Sequence, residues 1–243
     1  LTVILLYRNY LTHKNGDSNT TSLDTLKSSE SSSIQGVINE SAQNISAVMK
    51  RGKNIYANAI NGLALEDLGV LKKNKKQIVK LSGEVDELRD NIFYFIKNLD
   101  DSSIHASNFY INILGYLHDM SQSLEYTTKV CYKHVNNNHK KLKFSQYKEL
   151  KEIDTRFEVF FDNIQTAFDT KSFDQIGAII STKQEITDLV LDKIQKQVER
   201  TRKEESSPKN TTLYFNILVE TRDLLNATMS LLEEYYNAHD NIV

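Results

Sequence analysis

The sequence predicts an all-α protein built from two tandem three-helix bundles, and three observations carry that prediction. One proline, eight glycines and no tryptophan in 243 residues leave few forced turns and favour long periodic segments. Apolar residues then recur three and four apart along six such segments, which is the spacing of one helical face. The polar string Asn136–Lys143 breaks the pattern once in the middle and leaves three segments on each side.

Residues 1–10 open with an apolar run that stops at Tyr7 and Arg8. Such a run is too short to cross a hydrocarbon layer, which takes about 20 helical residues. It reads either as the end of a longer transmembrane helix or as a short apolar segment docked on the domain. Residues 11–33 are polar, serine-rich and aperiodic, and read as a mobile linker.

The first helix is predicted over residues 34–63, with Ile34, Val37, Ile38, Ile45, Val48, Met49 and Ile55 on one side and Asn61-Gly62 as its stop. The second, residues 66–99, has the cleanest stripe (Leu68, Leu71, Ile78, Leu81, Val85, Leu88, Ile92, Phe95), as an antiparallel bundle partner requires. Residues 100–103, all Asp or Ser, offer N-cap oxygens to a third helix that closes the first bundle, residues 34–135. A hinge at 136–143 follows, where Asn side chains are expected to bond backbone groups left free at the helix end. The second bundle, residues 144–239, has helices predicted over 144–170, from Ser172 to the Arg202–Pro208 run, and over 211–238.

Composition excludes several classes of function. Thirty basic residues against thirty-two acidic ones give a net charge of −2, with no general pull toward nucleic acid. The single cysteine, Cys131, reads as a small buried apolar residue. The cluster Lys72, Lys73, Lys75 and Lys76 reads as a solvated helix face. There is no glycine-rich phosphate loop, no nucleophile elbow and no zinc-protease helix, so no catalytic arrangement emerges.

Two carboxylate pairs are the candidate metal ligands. Asp86 and Asp90, like Asp188 and Asp192, are four apart, which sets both side chains of a pair on one helix face within reach of a common cation. No further ligand is fixed by spacing. His134 and His139 are five apart across a helix end, which is not the spacing that puts two imidazoles on one metal, so both read as structural. His118 and Asp119 are adjacent and point around the helix.

Several strings resemble a known family. Two helical triplets with acidic pairs are similar to the PhoU-like fold, a tandem of three-helix bundles associated with phosphate uptake. The string from Tyr110 through Tyr116-Leu117-His118-Asp119 and Ser123-Leu124 to His134-Val135-Asn136-Asn137-Asn138-His139-Lys140 resembles the C-terminal region of long bacterial inorganic phosphate permeases of the PiT class, as does Leu213-Tyr214 through Glu220-Thr221 to Leu225. The resemblance spans about Ile34 to Tyr236. It marks His118, Asp119, His134, Asn137, Asn138, His139, Tyr214 and Glu220 as signature positions. Metal-binding members carry a second carboxylate four residues on in the third helix of each bundle. Here Ser123 follows Asp119 and Leu224 follows Glu220 at that distance, which leaves Asp86, Asp90, Asp188 and Asp192 and argues against a multinuclear metal cluster.

The resemblance implies a cytosolic regulatory or accessory domain of an inorganic phosphate transporter, acting by conformational coupling or protein contact, with no catalysis and no cofactor. Residues 1–10 would then end a transmembrane helix and residues 11–33 would tether the domain, on the cytoplasmic side of a bacterial inner membrane. The implied partners are its own transporter membrane domain, a second copy in a homodimer and a phosphate-signalling protein, not nucleic acid. A structural or oligomerising helical module unrelated to phosphate is the alternative.

Overall fold

The computed structural model describes residues 22–26, 33–97, 99 and 104–240, and all regular structure among them is helical. The elements are α1 (Ile34–Leu65), α2 (Leu68–Asp90), α3 (Ile92–Lys97), α4 (Ile104–Asn136), α5 (Phe144–Asp169), a 3-10 turn (Phe173–Gln175), α6 (Ile176–Ile180), α7 (Lys183–Arg202) and α8 (Pro208–Asp240). The apolar run at residues 1–10 and the expected caps at 100–103 lie outside the described residues. Among the described residues, no helix is long and apolar enough to cross a membrane.

Side chains start α1 and α2, and the backbone itself ends four of the helices. Ser33 Oγ accepts the Gly36 N–H at 3.1 Å and Asp67 Oδ1 accepts the Val70 N–H at 3.0 Å, each filling one of the donors left free at an N-terminus. Pro208 opens α8, where a missing N–H costs nothing. Four chain reversals close with an N–H two or three residues beyond a helix on a carbonyl five residues back. These are Asp67 on Gly62 at 2.9 Å, His139 on His134 at 3.2 Å, Ser172 on Ala167 at 2.8 Å and Glu205 on Arg200 at 2.9 Å. The preceding residue is left-handed each time, and none is glycine: Glu66, Asn138, Lys171 and Glu204, with φ from 51° to 54°.

The hinge therefore differs from its expectation. Backbone bonds satisfy the end of α4, and the His134 ring, whose Nε2 lies 3.0 Å from the Lys140 carbonyl, ties down the turn beyond it. Among the described residues, no hydrogen bond to the Asn137 or Asn138 side chain is found, and Asn138 contributes its tolerance of the left-handed region.

Two predicted helices are broken. Between α2 and α3, Asn91 Nδ2 donates to the Glu87 carbonyl at 2.9 Å. Between α6 and α7, Ser181 Oγ donates to the Ala178 carbonyl at 2.6 Å and Thr182 Oγ1 to the Ile179 carbonyl at 2.7 Å. Short polar side chains that bond the preceding turn compete with the helical ladder, which accounts for both interruptions.

Packing within the first half joins α1, α2 and α4, and α7 lies on α8 in the second. The halves meet through two of the most extensive pairings, α1 with α5 and α4 with α8. Both run antiparallel. Ser46 meets Asp169 while Lys53 meets Asp162, and Asn112 meets Glu234 while Ser123 meets Glu220. First helix thus pairs with first and third with third, head to tail, the arrangement of an approximate two-fold relation.

Hydrophobic residues of both halves belong to one core. Tyr56 stacks on Phe157 with centroids 5.2 Å apart, and Tyr235 packs edge-on against Phe109 and Phe168. Their hydroxyls tie α1 to α8. Thr221 Oγ1 gives its proton to the Ile217 carbonyl, so it accepts from Tyr56 at 2.8 Å; Ser41 likewise donates to Val37 and accepts from Tyr235. Cys131 is buried as expected, which pushes its thiol up to about 12. Within the lysine cluster the surprise is Asn74, fully buried and donating to the Ile55 carbonyl at 2.9 Å and to Thr128 Oγ1 at 3.1 Å.

Part of the expected linker is docked. Residues 22–26 lie against α1 and α2, with Leu26 buried in the core and Leu23 packed beside it.

Candidate functional site

Where α4 crosses α8, an open groove of about 640 Å³ separates the two third helices. Asp119, Ser123, Glu125 and Lys129 line it from α4, and Glu220 and Asp223 from α8. The antiparallel pairing of the halves is what brings Asp119 and Glu220, signature positions 101 residues apart, to one cleft. Glu220 is half-buried; desolvation raises its carboxyl above the usual range and Asp223 adds to this, while a hydrogen bond from Ser123 opposes it. Ser123 thus fills the place of the missing carboxylate on α4 by bonding the carboxylate of the other half.

Four carboxylates face one ammonium in this groove. Such a field attracts cations and basic side chains and repels free phosphate. Glu125, Lys129 and Asp223 were not singled out from sequence. Asp223 follows Glu220 by three residues on one face, but nothing in the pattern sets α4 against α8.

The remaining candidates lie elsewhere. Asp86 sits on α2 with His118 Nδ1 at 3.2 Å and Arg89 at 3.7 Å, and Gln122 Nε2 lies 2.8 Å from His118 Nε2. A Gln donor on Nε2 leaves the proton on Nδ1, aimed at Asp86. Asp90 is exposed. On α7, Asp188 accepts from Gln184 at 2.7 Å, and Asp192 accepts from Lys196 at 2.8 Å and Lys193 at 3.0 Å, bonds that hold its carboxyl below the usual range. Asp86 and Asp192 therefore already have cationic or donor partners. Among the described residues, no group of three or more His, Cys, Asp or Glu is arranged to hold a metal ion.

His134 and His139 have ring centroids 5.3 Å apart at the hinge. Burial holds the His134 ring below its usual range, the bond to the Lys140 carbonyl opposes this, and His139 lowers it further. Asn137 and Asn138 are exposed in the same turn. Tyr214 is buried in the second half, donating to Glu149 at 2.5 Å. Arg200 pairs with that carboxylate, lies over the Tyr214 ring at 5.5 Å and donates to Gln197 Oε1 at 2.7 Å, which also accepts from Gln146 at 2.9 Å. Both desolvation and the Glu149 carboxylate raise the Tyr214 hydroxyl well above its usual range. A neutral donor locked in a network of this kind positions helices.

Solved structures share the overall fold of this chain. The phosphate transport system regulatory protein PhoU from Streptococcus pneumoniae matches with a TM-score of 0.66 at 11% identity, over 86% of this chain and 97% of that one. PhoU from Pseudomonas aeruginosa matches with a TM-score of 0.59 at 9% identity, over 83% of this chain and 93% of that one. The chain has a PhoU-like fold. No family model and no curated protein matches its sequence.

Proposed function

We propose that this chain regulates phosphate transport and catalyses no reaction. The observation that carries the reading is the fold likeness to PhoU, which spans nearly the whole length of each solved chain. The signature strings around His118-Asp119, His134–His139 and Tyr214–Glu220 extend it to a cytosolic domain of a PiT-class phosphate transporter, on the cytoplasmic side of a bacterial inner membrane. Its partner there is the transporter's own membrane domain, with a second copy or a phosphate-signalling protein as further contacts. Contact, not phosphate capture, is the mechanism that the acidic α4/α8 groove favours. A domain that touches one transporter state more than another shifts their populations by that difference in affinity.

The test is phosphate uptake by the full-length transporter with and without residues 34–243, in replete and in starved cells. Removal is expected to abolish the response to phosphate supply. Uptake and response both unchanged would refute the reading and leave a structural module.

A further inference from the structure

Ser22–Leu26 is held by contacts that a spacer does not need. The Asn44 amide reads both main-chain groups of Asp24: its Oδ1 accepts the N–H at 2.9 Å and its Nδ2 donates to the carbonyl at 2.7 Å. This is the two-bond pairing that one strand offers another. Glu84 Oε2 accepts the Leu23 N–H at 3.1 Å, and Arg51 aims that carboxylate with bonds of 2.6 and 3.3 Å. Asn44 and Arg51 are only 6% and 9% exposed, on the flank of α1 that faces α2. Polar groups so buried are costly without partners, and the strap supplies two of those of Asn44. Leu26, at 7% exposure, belongs to the hydrophobic core, and Leu23, three residues before it, packs against that core.

Three main-chain bonds select a backbone whose own groups are free of helical bonds, and the two leucines select a side-chain spacing. We propose that the α1/α2 seam is a binding site for a non-helical Leu-x-x-Leu segment, occupied in cis by Ser22–Leu26, and that it serves as a releasable latch between the chain upstream and the helical domain. Release is local, since it breaks three hydrogen bonds and exposes one buried side chain while α1 and α2 stay packed on α4. When the latch is closed, a pull on the upstream chain reaches α1 and α2 directly. Glu84 of the latch lies two residues before Asp86, which contacts His118 of α4, so the pull is carried toward the helix that lines the acidic groove. What the latch transmits rests on the transport reading; that it closes does not.

Amide exchange measured by NMR on the whole chain tests the closure. The Leu23 and Asp24 amides should exchange at least tenfold more slowly than unstructured amides. Asn44→Ala and, separately, Leu26→Asp should each release that protection while the α1 and α2 amides keep theirs, which shows that the fold survives. Unprotected Leu23 and Asp24 in the parent chain, or protection unchanged in both variants, would overturn the site. A dimer in the parent chain that Asn44→Ala dissolves would overturn the cis assignment. In the full-length transporter, Asn44→Ala should alter the response of uptake to phosphate supply. If exchange shows the latch open, deletion of the domain changes uptake, and Asn44→Ala does not, the coupling role fails while the transport reading stands.

Discussion

Replacing Tyr56 by Phe and Thr221 by Val, singly and together, measures how firmly the first helix holds the last. The Tyr56 hydroxyl is buried and donates at 2.8 Å to Thr221 Oγ1, which passes its own proton to Ile217. Tyr56→Phe removes the donor and leaves Thr221 satisfied, a loss of about 1 kcal/mol for one net hydrogen bond. Thr221→Val strands the phenolic proton away from water, and the loss rises to about 2 kcal/mol. The double variant has neither group to satisfy and should lose only about 1 kcal/mol, against about 3 if the two sites were independent. At roughly 3 °C per kcal/mol for a chain of this size, melting temperatures should fall by about 3, 6 and 3 °C. Thermal unfolding followed by circular dichroism reads all three. A double variant that falls by about 9 °C, the additive result, would mean that the two hydroxyls do not interact.

Four further outcomes are expected. Glu204→Gly should raise the urea midpoint, with unchanged slope, by the equivalent of about 1 kcal/mol, because an exposed left-handed residue at φ 54° is relieved of its Cβ clash; Asn138→Gly should gain less, since Asn tolerates that region. Gly62→Ala should destabilise by about 1–2 kcal/mol despite the better helix former, because the new Cβ lies 2.8 Å from Cγ and Cδ2 of the buried Leu71. His134 has a lowered pKa in the folded chain, so between that value and the unfolded value of about 6.5 the unfolded chain binds more protons. Its contribution is complete above about pH 6.5 and is lost as the pH falls through that window; His134→Gln should flatten this part of a stability profile recorded from about pH 7.5 to about 5.5.

The six periodic segments were legible because each buries one face, and a three- and four-residue spacing records that face directly. Their interruptions were not. Asn91 and the Ser181-Thr182 pair leave the apolar stripe intact and act through hydrogen bonds to the preceding turn, visible only as short polar residues within a helical pattern. The docked Ser22–Leu26 segment was hidden for a related reason. Its recognition is of main chain, which no side-chain pattern encodes, and only Leu23 and Leu26 marked it within a polar stretch. At the groove, Asp119 and Glu220 were picked out by string resemblance, whereas Glu125, Lys129 and Asp223 join them through the register of α4 on α8, a tertiary quantity. The buried Asn74, set among four lysines, had every local appearance of a surface residue.

The pairing of like helices from the two halves also sets the order in which the chain can be completed. Ser41 and Tyr235, partners in the core, are 194 residues apart. On a ribosome α1 emerges before α5 and α8 and must wait, with the flank meant for them uncovered, until both have been made. Contacts so distant in sequence slow folding and prolong the exposure of apolar surface. Synthesis of α8 is therefore the step that closes this core, and truncations within α8 should be far more damaging than their distance from α1 in the sequence implies.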